Sequence, residues 1–371
     1  MAIDPPSSSL TINLVILLKP NISQPQLSGS RVRVAVTQTE PVWLNLDATV
    51  EKTCKLINEA AENGAQLVTF PECWIPGYPA WIWSRPVDLK LSTRYIQNSL
   101  KVDSVQMIKI QECAAANKIT VVLGFSENIH SSLYISQAII GPDGKILTLR
   151  KKIKATHMER TIFGDSFGDC LHSVADTPAG RVGALSCWEH IQPLLKYHTY
   201  SQREQIHVAA WPPVFDDDGS GLHSMTRQGT ETLSKAYAME SQSFVLCTTA
   251  VVSQAGIDEM ATQTGVVMNV PGGGFSAVYG PDGRQLSEFI PSTQEGIVYA
   301  DLDLDEIHKS RAFVDLCGHY SRPDMLWLGV HGGVKPHVRH EGMGSARRHS
   351  ITDLAGPDTE QSKPNSMFTL V

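Results

Sequence analysis

The sequence predicts an α/β fold organised around one large core. Three observations carry this. Strand-like and helix-like segments alternate from Arg31 onward. Several of the strand-like segments are short apolar runs closed by turn residues, which read as buried strands. No linker-like stretch divides residues 31–330, although 371 residues could hold about two or three domains.

The elements follow in order. Residues 31–38 (RVRVAVTQ) alternate as a strand does, with Val32, Val34 and Val36 on one face. Residues 45–61 have helical spacing, with Val50, Cys54, Ile57 and Ala61 on one side, and Asn63-Gly64 stops them. AQLVTF (65–70) reads as a buried strand closed by Pro71-Glu72. A second helix is expected over 105–117 and a second buried strand over 120–125. Residues 132–140 and 145–151 read as two strands joined by Gly141-Pro142-Asp143-Gly144. Proline presets φ in that turn and glycine permits φ above zero. The same four residues recur at 280–283, so QAIIGPDGKIL (137–147) and SAVYGPDGRQL (276–286) read as one hairpin element used twice. Residues 181–186 are a strand, the segment from Cys187 reads as a helix, and IHVAA (206–210) is a strand ended by Trp211-Pro212-Pro213. A flexible loop is expected over 216–221, a helix over 230–241 and a strand over 244–251. Residues 1–30 are rich in Ser and Pro and read as an N-terminal extension, an extra strand or a disordered arm. Beyond residue 330 periodicity vanishes, so 331–371 read as a partly disordered tail.

Composition removes several classes of function. Lys plus Arg is 31 and Asp plus Glu is 38, a net charge of −7. Phosphate binding needs a basic face, so nucleic acid is not the expected partner. Hydrophobic content of 42% with 19% charged residues is that of a soluble globular chain. The longest apolar run, Leu10–Leu18, has nine residues, against the roughly 18 that a membrane span requires. Asp4 rather than a basic residue precedes it and no A-x-A-like site follows, so it is not read as a signal peptide. The seven cysteines are scattered, odd in number and free of C-x-x-C pairs. That argues against a disulfide framework or zinc site and for a reducing, cytoplasmic setting.

Three buried strands end in groups that could converge: Glu72, Lys152 and Cys187. Functional groups gather beyond the carboxyl ends of strands in open α/β sheets. Cys187 stands where a strand turns into an expected helix, whose dipole would lower its pKa and favour the thiolate. The bland alternative is a small buried hydrophobe, the reading given to Cys54, Cys113 and Cys247. A carboxylate such as Glu72 at a buried strand end is costly unless paired or used; a helix cap or salt bridge would also account for it. Lys152 lies in the run Arg150–Lys154, which could be a solvated edge, but alternation puts it on the opposite face from Lys151. Trp74, Tyr78, Trp81 and Trp83 follow Glu72 in a loop shaped by Pro76, Gly77 and Pro79. They could line an apolar pocket, plug the core or face another subunit. Gly272-Gly273-Gly274 lacks the residues of a phosphate loop, and no H-x-x-x-H pair suggests a metal.

Five segments taken together resemble the nitrilase branch of the carbon–nitrogen hydrolase superfamily, in particular fungal and bacterial arylacetonitrilases. They are FPECWIPGYPAWIW (70–83), LRKKIKATHMER (149–160), LSCWEHIQPLLKYH (185–198), EQIHVAAWP (204–212) and GHYSRPD (318–324). The resemblance covers roughly residues 31–330 and implies a four-layer α-β-β-α sandwich. It implies a catalytic set of Glu72 as base, Lys152 as stabiliser of developing charge and Cys187 as nucleophile, with Glu159 supporting the lysine or the substrate. Trp188, His190, Tyr78 and Trp211 are the expected substrate contacts. Ala155 replaces the usual proline of the lysine motif, and His190 stands where many nitrilases have Asn; the second change points towards aryl-substituted nitriles. No metal or organic cofactor is implied. The expected partners are a small nitrile and further copies of the chain, as a dimer or a spiral filament, with neither nucleic acid nor membrane. Cyanide hydratase forming formamide, an aliphatic nitrilase, an amidase or carbamoylase, and a non-catalytic filament or scaffold protein are the alternatives.

Overall fold

The computed structural model describes residues 31–335 and 338, except 217 and 220. Residues 1–30, the tail beyond 338 and part of the 216–221 loop therefore lie outside the described residues. One compact unit runs to Gly333, and Val334 begins a second, of which Val334, Lys335 and Val338 are described.

The elements run β1 (Arg31–Thr39), α1 (Leu46–Glu62), β2 (Leu67–Thr69), α2 (Leu89–Asn98), α3 (Val105–Asn117), β3 (Thr120–Ile129), β4 (Ser132–Ile140) and β5 (Ile146–Lys151). They continue β6 (Val174–Thr177), β7 (Gly180–Ser186), α4 (Pro193–Ser201), β8 (Ile206–Ala210), α5 (Arg227–Ser241), β9 (Phe244–Ala250), α6 (Gln254–Met260), β10 (Ala277–Tyr279), β11 (Gly296–Asp303) and α7 (Asp305–Phe313). Helix starts follow their caps. Asn45, Ser104 and Thr226 each accept a hydrogen bond from a backbone N–H of the first turn of α1, α3 and α5. The Thr226 cap explains why α5 begins at Arg227, before the expected Thr230.

Strands β5-β4-β3-β2-β1 form one sheet, with β11 antiparallel to β1; β6-β7-β8-β9 form a second, with β10 antiparallel to β9. The sheets join at the end of β1, where Gln38 and Thr39 pair with Thr249 and Ala250. The period of two along each strand then builds the layers. Val32, Val34 and Val36 of β1 pack with Val182, Ala184, Val208 and Leu246 of the second sheet in a core between the sheets. Ala35, Val68 and Val121 face the other way, against Val50 and Ile57 of α1 and Ile110 and Ala114 of α3. On the far side Leu185, Ala209 and Val245 meet Tyr200 of α4 and Tyr237 and Ala238 of α5. This is the four-layer α-β-β-α sandwich.

Three expectations need correction. Cys54 and Cys113 are half-buried at the α1–α3 seam, with Cys113 Sγ donating to the Cys54 carbonyl at 3.6 Å, and are not core. The second Gly-Pro-Asp-Gly turn repeats the backbone and Asp side-chain bonds of the first, but pairs its arms through a bridge at Tyr279–Gln285 instead of a full hairpin. The segment after Cys187 is not one helix. It is a five-residue 3-10 turn, Cys187–Ile191, and Pro193 then opens α4.

Candidate active site

Four side chains converge above the strand ends. Glu72 follows β2, Lys152 follows β5 and Cys187 follows β7. Glu159 comes from a 3-10 turn, His157–Thr161, and reaches back to the Thr156 backbone N–H at 2.7 Å. Lys152 Nζ donates to Glu72 Oε1 and to Glu159 Oε2, both at 2.8 Å, and all three side chains are almost wholly buried. Cys187 Sγ and a carboxylate oxygen from each of Glu72 and Glu159 lie within 4.8 Å of one another. Cys187 is a non-glycine residue at φ +49°, in the left-handed region. Such a conformation costs an L-residue energy and persists where the surroundings enforce it.

The charges are unbalanced, one ammonium against two carboxylates and a thiol. Burial raises the Glu72 carboxyl, Lys152 pulls it down and Glu159 raises it again, leaving it at about 7. Burial opposes the Lys152 ammonium, but Glu159 and Glu72 outweigh it and hold that group well above its ordinary value. Burial and the Glu72 charge push the Cys187 thiol well up, against the pull of Lys152. This corrects the helix-dipole expectation: a short 3-10 turn supplies little dipole, and desolvation dominates. The group is a neutral thiol beside a base, and the base has a free atom. Glu72 Oε1 takes the Lys152 bond, while the buried Oε2 makes none among the described residues.

A second buried ion pair braces the first. Arg150 donates to both oxygens of Glu189, at 2.8 and 2.7 Å. Glu189 also accepts from the backbone N–H of Ser186 and of Ile153, both at 2.9 Å. One carboxylate thus ties the residue before Cys187 to the residue after Lys152. The motif residues Arg150 and Glu189 were visible in the sequence, but not their pairing across the two sheets.

The four expected substrate contacts are placed differently from one another. Trp188 is half-buried beside the nucleophile. Tyr78 donates to Glu159 Oε1 at 3.1 Å and accepts from Trp83 Nε1 at 3.1 Å, so its hydroxyl is committed. Trp211 is buried and stacks on His190 at 5.1 Å. His190 is fully buried, and both its ring nitrogens are engaged by the Cys187 carbonyl and by His207. Trp74 and Trp81 are core. A depression of about 510 Å³ lined by Val87, Leu89, Tyr134 and Arg160 includes none of the four converging residues. Chemistry, not cavity size, locates this site.

The family model for carbon–nitrogen hydrolase matches residues 33–312. An arylacetonitrilase of Aspergillus kawachii is 76% identical over 313 residues, covering 84% of this chain and 95% of its own length. An arylacetonitrilase of Aspergillus niger is 58% identical over 330 residues, covering 89% and 97%. Among solved structures, the C. elegans NitFhit protein has a TM-score of 0.63 at 20% identity over 83% of this chain and 69% of its own. A carbon–nitrogen hydrolase from Helicobacter pylori G27 has a TM-score of 0.62 at 18% identity over 80% and 98%. Those two likenesses carry the fold, and the family match and the close relatives carry the rest: the chain belongs to the carbon–nitrogen hydrolase family.

Proposed function

We propose that this chain is a nitrilase that hydrolyses arylacetonitriles to the carboxylic acid and ammonia, with Cys187 as nucleophile. The observation that carries the chemistry is the buried thiol packed against one lysine and two carboxylates, one of which keeps a free oxygen. The identity with arylacetonitrilases over most of the chain supports the substrate class.

The steps follow from the geometry. Glu72 Oε2 takes the thiol proton as Cys187 Sγ bonds to the nitrile carbon, and one C–N π bond opens. A base near 7 suits this transfer at neutral pH. Negative charge develops on the nitrogen, where the Lys152 ammonium stabilises it, and the proton held by Glu72 passes there to give a thioimidate. Glu72 then deprotonates a water that adds to the same carbon. Breaking C–N releases ammonia and leaves a thioester, and a second water frees the acid and restores the thiol. Breaking C–S first releases the amide instead. Glu159 and Tyr78 act through Lys152, holding its ammonium in place. Trp188 is assigned as the wall for the aryl group.

Homo-oligomers belong to the same proposal. Phe313, Leu326 and Trp327 are 92%, 82% and 79% exposed, apolar surface of the kind a second copy covers. A cytoplasmic setting accords with seven free cysteines. Ammonia release from phenylacetonitrile, benzonitrile, cyanide and an aliphatic dinitrile, measured side by side, tests the activity. Phenylacetonitrile is expected to turn over fastest. Turnover of cyanide alone, or of amides but no nitrile, would overturn the assignment.

A further inference from the structure

Behind the nucleophile lies a chain of buried polar groups that the chemistry above does not use. His190 Nδ1 stands 2.7 Å from the Cys187 carbonyl oxygen, and His190 Nε2 stands 2.9 Å from His207 Nε2. His207 Nδ1 is 2.8 Å from Glu204 Oε2, and the Tyr237 hydroxyl donates to Glu204 Oε1 at 2.5 Å. All four side chains are buried at 1% exposure or less. They come from the turn after β7, from β8 and the residue two before it, and from α5. The rings are packed as well as bonded, His207 on Tyr237 at 3.8 Å and His190 on Trp211 at 5.1 Å. The fold also reserves space for the carboxylate. A Cβ on Gly183 of β7 would lie 1.9 Å from Glu204 Oε2.

The direction of these bonds follows from what each atom can do. A carbonyl only accepts, so His190 Nδ1 carries a proton. Burial and the neighbouring His207 hold His190 neutral, well below its ordinary pKa. A neutral ring protonated at Nδ1 has a bare Nε2, which must accept from His207 Nε2–H. His207 Nδ1 and Glu204 Oε2 then share one proton, and Tyr237 closes the far end.

Resting on the assignment of Cys187 as nucleophile, we propose that His190, His207, Glu204 and Tyr237 are positioning residues for it. They fix the His190 tautomer, His190 Nδ1–H clamps the Cys187 carbonyl, and the clamp holds the left-handed backbone that aims Sγ at the substrate. If His207 cannot donate, the bare His190 Nε2 is left buried without a partner and the ring loses the bond that fixes its orientation. The clamp on the Cys187 carbonyl then loosens although no group near the substrate has changed.

The full chain is assayed with phenylacetonitrile as three variants. H207F keeps a ring without a donor, H207Q keeps a donor, and C187A removes the proposed nucleophile. The relay predicts that kcat of H207F falls about ten- to a hundredfold with KM changed less than about threefold. H207Q recovers most of that loss, whereas a packing role favours the aromatic H207F over H207Q. An H207F enzyme with the parent kcat, while C187A is inactive, overturns the relay and leaves the nucleophile standing. An active C187A overturns the nucleophile itself. Should H207F fail to fold, the parent protein labelled with ¹⁵N-histidine decides. A coupling across an Nε2–H···Nε2 bond, with the accepting ring protonated at Nδ1, is expected; its absence overturns the proposal.

Discussion

Two buried ion clusters sit side by side, and they are built on opposite rules. Arg150 and Glu189 form a bidentate pair whose carboxylate also takes two backbone N–H groups, so both carboxylate oxygens are partnered, while Arg150 Nε makes no bond among the described residues. Burial alone would raise Glu189, but Arg150 and those donors hold it below its ordinary value. Lys152 instead serves two carboxylates at once and leaves Glu72 Oε2 free, and Glu72 rises to about 7. A satisfied charge is fixed in one state and braces the fold. An under-satisfied one is poised between two states and can move a proton.

Four experiments would break or sharpen that contrast. Cys187→Ala removes the bond-forming atom, and ammonia release from phenylacetonitrile should fall at least about 10⁴-fold. Activity near the parent level would end the assignment. Glu72→Gln removes the base while keeping its shape; kcat should fall about 10²- to 10⁴-fold in the same assay. Arg150→Met strands the buried Glu189 carboxylate and should cost about 3–5 kcal/mol in urea unfolding. The double variant R150M/E189L, which leaves no lone charge, should recover most of it. If the double variant is no better than the single one, the pair is not a brace.

The fourth test reads the sign of the Glu72 shift. The fold favours protonated Glu72, so its contribution to stability is full below about 4.5 and is lost as pH rises through about 7. Glutamine cannot ionise and avoids that loss. E72Q should therefore melt a few degrees above the parent at alkaline pH, with the gap closing towards pH 5. In the parent, kcat/KM should climb as pH rises through about 7, because the base must be ionised. A lower melting point for E72Q at every pH would place Glu72 with the braces.

Much of the site was legible because strand patterns are local. Alternation alone separated buried Lys152 from half-buried Lys151, and the apolar run before Pro71 marked Glu72 as a carboxylate at a strand end. The helix spans over 105–117 and around 46–62 follow from periodicity and cap residues in the same short window. The state of the Cys187 thiol is not legible locally, because its direction of shift depends on desolvation and on Glu72, 115 positions away in the chain. The surroundings of His190 are not legible locally for a similar reason. Its partners His207, Glu204 and Tyr237 arrive from other elements, and no spacing rule links them.

What the sequence determined by itself was the alternation of strands and helices, the caps and turns that punctuate them, and the residue types at each strand end. These are set by interactions within a few residues, which the order of amino acids encodes directly. Only the tertiary structure decided which carboxylate is a brace and which a base, and that His190 faces the back of the nucleophile. Ionisation and hydrogen-bond direction depend on the sum of burial and charge from every neighbour, and folding brought those neighbours together from distant parts of the chain.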